Sequence, residues 1–190
     1  AAGVCGKTAG VARLQDRLTG ALVALARAAE GADPDTEARD LMLEGMFTCV
    51  SNVSFDGARI ESLTERVRAK ALAMGSFAPY DLDLVWHAQE DIRSLKSLLL
   101  FGMRGVAAYA YHAAALGRRD DAVDAFLFEG MRALGGDLGM DGLLPLVLKC
   151  GEVNLSVMAS LEAANVGAYG KPAPATWLVQ ARSRSALRLW

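Results

Sequence analysis

Apolar residues recur every three or four positions along most of this chain, which is the spacing of helices that bury one face. The first such face carries Leu14, Leu18, Leu22 and Leu25. Five later segments repeat the pattern, on faces that include Leu41 and Met46, Ile60 and Val67, Leu95 and Leu99, Val123 and Phe126, and Val153 and Met158. The sequence therefore predicts an all-α fold of six main helices.

Glycine and proline divide these helices from one another. The predicted helix ends lie at Gly31, Gly75, Gly117 and Gly135-Gly136. Asp33-Pro34-Asp35 supplies a cap and a helix-starting proline for the second helix. Asp141 is predicted to cap the sixth helix, with Pro145 in its first turn, and that helix continues to about Glu162.

The two halves of the chain resemble each other. Leu43-Glu44-Gly45-Met46 recurs as Phe128-Glu129-Gly130-Met131, 85 positions later, and Asp56-Gly57 recurs as Asp141-Gly142 at the same offset. Leu14, Leu18 and Leu22 likewise align with Leu95, Leu99 and Met103. This repetition predicts two duplicated three-helix bundles. The alternative is that helical hairpins resemble one another by chance.

The predicted domains are a first three-helix bundle at 1–75, a linker at 76–83 and a second three-helix bundle at 84–168. A short C-terminal extended segment follows at 169–190, where Trp177-Leu178-Val179 fits a short strand.

Composition argues against several classes of protein. The 20 basic and 22 acidic residues leave no positive excess, so we expect no nucleic-acid partner. The longest nearly apolar stretch, 105–116, is too short to span a bilayer, and no signal peptide opens the chain, so we expect no membrane association. The three cysteines are odd in number and far apart, which favours a reducing compartment and predicts a cytoplasmic protein.

Cys5 is the candidate metal-binding and cofactor-binding residue. It lies in Val4-Cys5-Gly6-Lys7-Thr8, where the flanking glycines allow the backbone to wrap closely around a cofactor. Thiolates are the preferred ligands of iron–sulfur clusters, which normally need four of them, so the other ligands would lie upstream of Ala1. The alternative is an unpaired thiol near a frayed terminus.

The other cysteines and the histidines have structural interpretations. Cys49 and Cys150 fall at apolar helical positions and are expected to be small buried hydrophobic residues. His87 and His112 have no metal-ligand spacing, so each is predicted to be a surface or hydrogen-bonded histidine.

Glu44 and Glu129 occupy equivalent positions of the repeat, beside glycines. We expect them to pair with an arginine such as Arg104 rather than to act in catalysis. Gly3-x-x-Gly6-Lys7-Thr8 lacks the spacing and the preceding strand of a nucleotide-binding loop. No catalytic residue is therefore predicted.

Four stretches, in order, carry a resemblance to a known family. They are Gly3-Val4-Cys5-Gly6-Lys7-Thr8 with Leu14-Gln15-Asp16; Ser51-Asn52-Val53-Ser54-Phe55-Asp56 with Arg59-Ile60; Asp91-Ile92-Arg93-Ser94-Leu95 with Gly105-Val106-Ala107-Ala108-Tyr109-Ala110, His112 and Leu116-Gly117; and Tyr169-Gly170-Lys171-Pro172 with Pro174 and Thr176. With these stretches the chain resembles the N-terminal helical domain of the hybrid-cluster proteins, also called prismane proteins or hydroxylamine reductases.

The resemblance implies an iron–sulfur redox enzyme. Cys5 would be the last of four cysteines that bind a cubane cluster of the 4Fe–4S type, with a 2Fe–2S cluster possible. A hybrid iron–sulfur–oxygen cluster, whose ligands belong to later domains, would reduce hydroxylamine or a related nitrogen oxide with electrons from a donor. The first of those ligands would come just after a hydrophobic strand, and Arg188-Leu189-Trp190 would lie within that strand. This segment alone is therefore expected to be inactive.

Two alternatives remain open from the sequence. One is the helical domain of a nickel carbon monoxide dehydrogenase, which belongs to the same superfamily. The other is a non-catalytic helical bundle that serves as a scaffold or interaction module, because the chain contains no complete site.

Overall fold

The computed structural model describes residues 6–50 and 54–171, and within them the chain forms seven helices. They are α1 Ala9–Ala28, α2 Thr36–Thr48, α3 Gly57–Ala73, α4 Asp83–Trp86, α5 Glu90–Ala115, α6 Asp121–Gly135 and α7 Met140–Tyr169. No strand occurs in the described part of the chain, and the predicted all-α class is confirmed. The proposed strand at Trp177-Leu178-Val179 lies outside the described residues.

Short polar side chains begin most of the helices. The carboxylates of Asp35 and Asp56 accept hydrogen bonds from first-turn amides of α2 and α3, and Thr8 does the same for α1. Because Asp35 is the cap, Pro34 lies before α2 and is not its first residue, so the prediction of a helix-starting proline was wrong.

The start of α7 also differs from the prediction. Gly139 occupies the cap position, and Asp141 lies in the first turn, where its charge favours the positive end of the helix dipole. Pro145 consequently falls inside the second turn, and its missing N–H removes one helical hydrogen bond. The helix runs to Tyr169, beyond the predicted end at Glu162.

The predicted linker packs closely against α1. The backbone N–H of Tyr80 donates to the Gly20 carbonyl at 3.1 Å, and a Cβ at Gly20 would overlap the Tyr80 carbonyl oxygen. The short helix α4 follows, and its Trp86 ring stacks on Phe101 of α5 at 6.4 Å between centroids. The glycine therefore sets how closely this connection approaches the first helix.

The repeated glycines make equivalent contacts in the two halves. A Cβ at Gly45 of α2 would lie 2.8 Å from the Leu22 side chain of α1, and a Cβ at Gly130 of α6 would overlap the Met103 sulfur of α5. Leu22 and Met103 are themselves aligned in the repeat, so the same close helix contact occurs twice.

The buried side chains of both halves form one continuous cluster, because α1 also packs on α6 and α2 on α5. Polar contacts reinforce this junction: Arg27 donates to the Gly135 carbonyl, and Arg132 Nη1 donates to the Ala26 carbonyl at 3.3 Å. The division of the chain into two bundles at 76–83 stays a prediction.

Among the described residues, α7 has the length and apolar composition of a membrane span. The prediction of no membrane association rests on the stretch 105–116, which does not include this helix. Helices in the cores of water-soluble proteins have the same length and composition, so these two properties do not assign α7 to a membrane.

Replacement of Gly20 tests the close approach of the 77–83 segment. We expect Gly20→Ala to lower the free energy of unfolding by about 2–3 kcal/mol, because the added methyl group meets a backbone carbonyl that cannot rotate away. Chemical denaturation followed by circular dichroism measures the change.

Gly105→Ala is the matched control, because Gly105 lies in α5 and no neighbouring atom comes within 4 Å of the position that an added methyl group would occupy. It should raise stability by about 0.5–1 kcal/mol through helix propensity. Equal effects of the two substitutions would contradict the role assigned to Gly20.

Candidate functional site

Cys5 lies outside the described residues, but the chain immediately after it is described. Gly6 has a φ of +89°, a conformation that favours glycine, and Thr8 caps α1 by accepting a hydrogen bond from the Val11 N–H at 3.2 Å. Between them, Lys7 Nζ donates to Gln15 Oε1 at 3.1 Å. The residues that follow Cys5 are therefore attached to the first two turns of α1.

Gln15 is the anchor of this attachment. Its side chain is only 2% exposed, and its Nε2 donates to the Thr48 carbonyl at 3.3 Å and to the Ser54 carbonyl at 3.2 Å. Thr48 is the last residue of α2, and Ser54 lies in the connection that leads to α3. One buried amide thus holds together the chain after Cys5, the first helix and that connection.

Thr19 and Arg104 extend the polar contacts along α1. Thr19 Oγ1 donates to the Gln15 carbonyl at 2.8 Å and accepts from Arg104 Nη2 of α5 at 3.1 Å. We refer to Lys7, Gln15, Thr19 and Arg104 as the Gln15 network. Sequence patterns did not single it out, although the four-residue spacing of Gln15 and Thr19 on a buried helix face is a signal for such a polar pair.

Cys49 adjoins this network but is confined to the core. Its Sγ lies 3.4 Å from the Gln15 carbonyl and 3.6 Å from Thr19 Oγ1. Burial raises the pKa of the thiol, and the charge of Arg104 opposes that shift only in part. A buried thiol with a raised pKa is a poor nucleophile and a poor metal ligand.

Cys150 is buried as well, against the other side of the fold. A Cβ at Gly102 of α5 would lie 2.7 Å from its Sγ, so the sulfur occupies the space that the glycine leaves. Burial raises the pKa of this thiol too. The predicted structural role of both cysteines is confirmed.

Asp16 borders the Gln15 network and faces a cavity of about 560 Å³. The cavity lies between α1, α3 and the 77–83 segment, and its walls carry both Arg13 and Arg17 and the acidic Asp81 and Asp83. Partial burial raises the pKa of Asp16, while Arg104 and Lys7 lower it. Three separate segments line the cavity, so no local sequence pattern reveals it.

The repeated glutamates form ion pairs, but not with Arg104. Glu44 Oε2 lies 3.1 Å from Arg66 Nη1 of α3, and Glu129 Oε2 lies 2.6 Å from Lys149 Nζ of α7. The proposed Arg104 partner was wrong, because that side chain reaches α1 and binds Thr19. The glutamates thus tie the second and third helices of each half together.

Neither histidine belongs to a metal site in the described residues. His87 Nδ1 lies 2.9 Å from the Asp83 carbonyl, and the His112 ring packs edge-on to Phe47 at 5.3 Å. No group of three or more histidine, cysteine or acidic residues with metal-binding geometry occurs in residues 6–50 and 54–171. This part of the chain therefore does not by itself form a ligand set for a cluster.

Two substitutions distinguish the buried hydrogen bonds of Gln15 from its partly exposed bond with Lys7. Gln15→Leu should lower the free energy of unfolding by about 2–3 kcal/mol, because the Thr48 and Ser54 carbonyls lose their donor inside the protein. Lys7→Met removes only the outer, partly exposed contact and should cost less than about 1 kcal/mol.

Urea unfolding of the two variants beside the parent chain measures the difference. An effect of Lys7→Met as large as that of Gln15→Leu would contradict the anchoring role of the buried amide.

Comparison with known proteins gives a consistent set of relatives. Residues 1–186 match the Prismane/CO dehydrogenase family. The chain is 41% identical over 203 residues to a hydroxylamine reductase of Solidesulfovibrio magneticus and 42% identical over 207 residues to one of Syntrophobacter fumaroxidans. A hydroxylamine reductase of Chlorobaculum tepidum is 37% identical over 196 residues.

Each of these alignments covers 90% of this chain but only 36–38% of the relative. The chain thus spans less than two fifths of the length of the proteins that it matches. The family match covers nearly every residue, including Cys5 and the Gln15 network. The chain belongs to the Prismane/CO dehydrogenase family.

Proposed function

We propose that this chain is the helical portion of a hydroxylamine-reductase-like iron–sulfur oxidoreductase. The observation that carries the proposal is the family match over residues 1–186, together with relatives named hydroxylamine reductase that align with 90% of the chain. The same relatives favour this activity over carbon monoxide oxidation.

The proposed reaction takes place in the complete protein. Hydroxylamine takes up two electrons and two protons, its N–O bond breaks, and ammonia and water leave. The electrons come from a separate donor, and iron–sulfur clusters would supply the one-electron steps that join the donor to the substrate. The hybrid cluster that binds the substrate would be held by segments beyond this chain.

Cys5 is proposed as one of four thiolate ligands of a cubane cluster, which makes it both a metal-binding and a cofactor-binding residue. The described neighbours support this role: the Lys7–Gln15 hydrogen bond attaches the chain two residues after Cys5 to the buried part of α1. Cys49 and Cys150 are buried in the core and would not compete with Cys5 for iron.

The partners and location follow from the same proposal. We expect a small nitrogen-oxide substrate and an electron donor in a cytoplasmic setting, where thiols stay reduced. The slight excess of acidic residues argues against a nucleic-acid partner.

The activity is tested with the longer reading frame that contains these residues, expressed and purified without oxygen. Reduced methyl viologen should be oxidised when hydroxylamine is added, with one ammonia formed for each two electrons consumed. Carbon monoxide oxidation without hydroxylamine reduction would instead assign the related dehydrogenase activity. A stable, iron-free protein from the extended reading frame would favour the non-catalytic scaffold.

Cys5→Ser in that longer protein tests the ligand role. The variant should lose about four iron atoms per chain, because a cubane normally needs all four thiolates, and should keep its helical circular dichroism. Iron and sulfide analysis with electron paramagnetic resonance of the reduced protein measures the loss.

Cys150→Ser is the matched control, because Cys150 is buried against Gly102. Its iron content and reduced spectrum should equal those of the parent. Unchanged iron in Cys5→Ser would refute the assignment of Cys5 as a ligand.

A further inference from the structure

The outer face of α7 is apolar and uncovered in the described structure. Leu144, Leu148 and Leu155 are 49%, 63% and 71% exposed, and Met158 is 43% exposed. Their spacing places them along one side of the helix, with Gly151 between the second and third. We call this side the α7 outer face. A continuous apolar stripe of this kind normally marks an interaction surface.

Another face of the same helix packs against the rest of the bundle. Leu143, Cys150, Val157 and Ala164 are buried, each seven residues from the next, and α7 packs along the full bundle against α5. The helix is therefore apolar on both sides, which is typical of a helix enclosed by protein rather than one that borders water.

A lipid bilayer is a poor occupant for the outer face. Lys149, in the third turn of the helix, pairs with Glu129 of α6, and the exposed side also carries Glu152 and Glu162. A membrane span would place these charges in hydrocarbon, and a helix that lies on a membrane surface normally carries lysine and arginine beside its apolar face.

The part of the same polypeptide that follows α7 is the partner that best fits the α7 outer face. The helix is the last one described, and the chain leaves it at Gly170, at one end of the outer face. The relatives are more than twice as long as this chain, since it spans only 36–38% of them. A following domain would therefore emerge beside an apolar surface already held in place by the bundle.

We propose that the α7 outer face is an interdomain interface, covered by the domain that begins with residues 172–190 and continues downstream. The inference rests on the proposed function only in taking the chain as part of a longer protein.

The test compares single substitutions in the 190-residue chain and in the longer protein. Leu148→Ser and Leu155→Ser should each shift the melting temperature of the chain by less than about 2 °C, because both side chains are already exposed, but should lower that of the longer protein by about 4 °C or more. Leu72→Ser on α3, where Leu72 is 52% exposed, is the matched control and should change neither form.

Hydrogen exchange provides a second measurement that does not depend on a variant. The amides of residues 144–158 should exchange at least about tenfold more slowly in the longer protein than in the chain. Equal exchange and equal melting shifts in the two forms would overturn the proposal, as would a reading frame that ends at Trp190.

Other occupants give distinct results. A concentration-dependent dimer of the chain that Leu155→Ser dissociates would assign the face to a second copy, and binding to phosphatidylcholine–phosphatidylglycerol vesicles that Leu155→Ser abolishes would assign it to lipid. Either result would overturn the interdomain interface. A longer protein that protects α7 but does not reduce hydroxylamine would refute the proposed function while supporting this interface.

Discussion

Burial of α1 on almost every side sets the positions of the elements that pack around it. Residues 18–26 are all buried, and α2, α3, α6 and the 77–83 segment surround them. Such enclosure requires neighbouring elements to approach α1 closely, and glycines allow this on three sides. Gly20 leaves space for the Tyr80 backbone, and Gly45 leaves space for the Leu22 side chain. Gly135 of α6 packs against Val23. A methyl group at any of these positions would push a neighbouring element away from the central helix. The placement of α2, α3, α6 and the 77–83 segment follows from this contact geometry.

The same burial explains why the polar groups of α1 are organised. A glutamine and a threonine inside a core need partners, because an unpaired buried polar group costs about 1–3 kcal/mol. Gln15 obtains them from Lys7, Thr48 and Ser54, and Thr19 from Arg104. These bonds happen to fix the chain that leads from Cys5 into α1. One set of hydrogen bonds thus satisfies the buried polar groups of α1 and attaches Lys7 to this helix.

Local patterns predicted the helices well because each depends on nearby residues. The apolar period, the terminal glycines and the caps at Asp35 and Asp56 act within one or two turns. One error concerns a contact between distant segments, since Arg104 binds Thr19 and Glu44 pairs with Arg66 across the α2–α3 contact. Other errors are local and concern helix ends: Pro34 lies before α2, and α7 begins after Gly139 and runs to Tyr169. The predicted linker at 76–83 contacts Gly20 through backbone atoms, and side-chain patterns do not report such a contact.

The order and type of the residues are enough to assign the all-α class, the order of the helices, the buried character of Cys49 and Cys150, and the family. These properties are encoded in the period, type and order of residues. Contacts between distant segments establish how the two halves share a core, which groups bond to Gln15, and which apolar residues stay exposed on α7. A helical period shows that a face is apolar, but the neighbours that cover it come from elsewhere in the chain. For the outer face of α7, no described residue provides that cover.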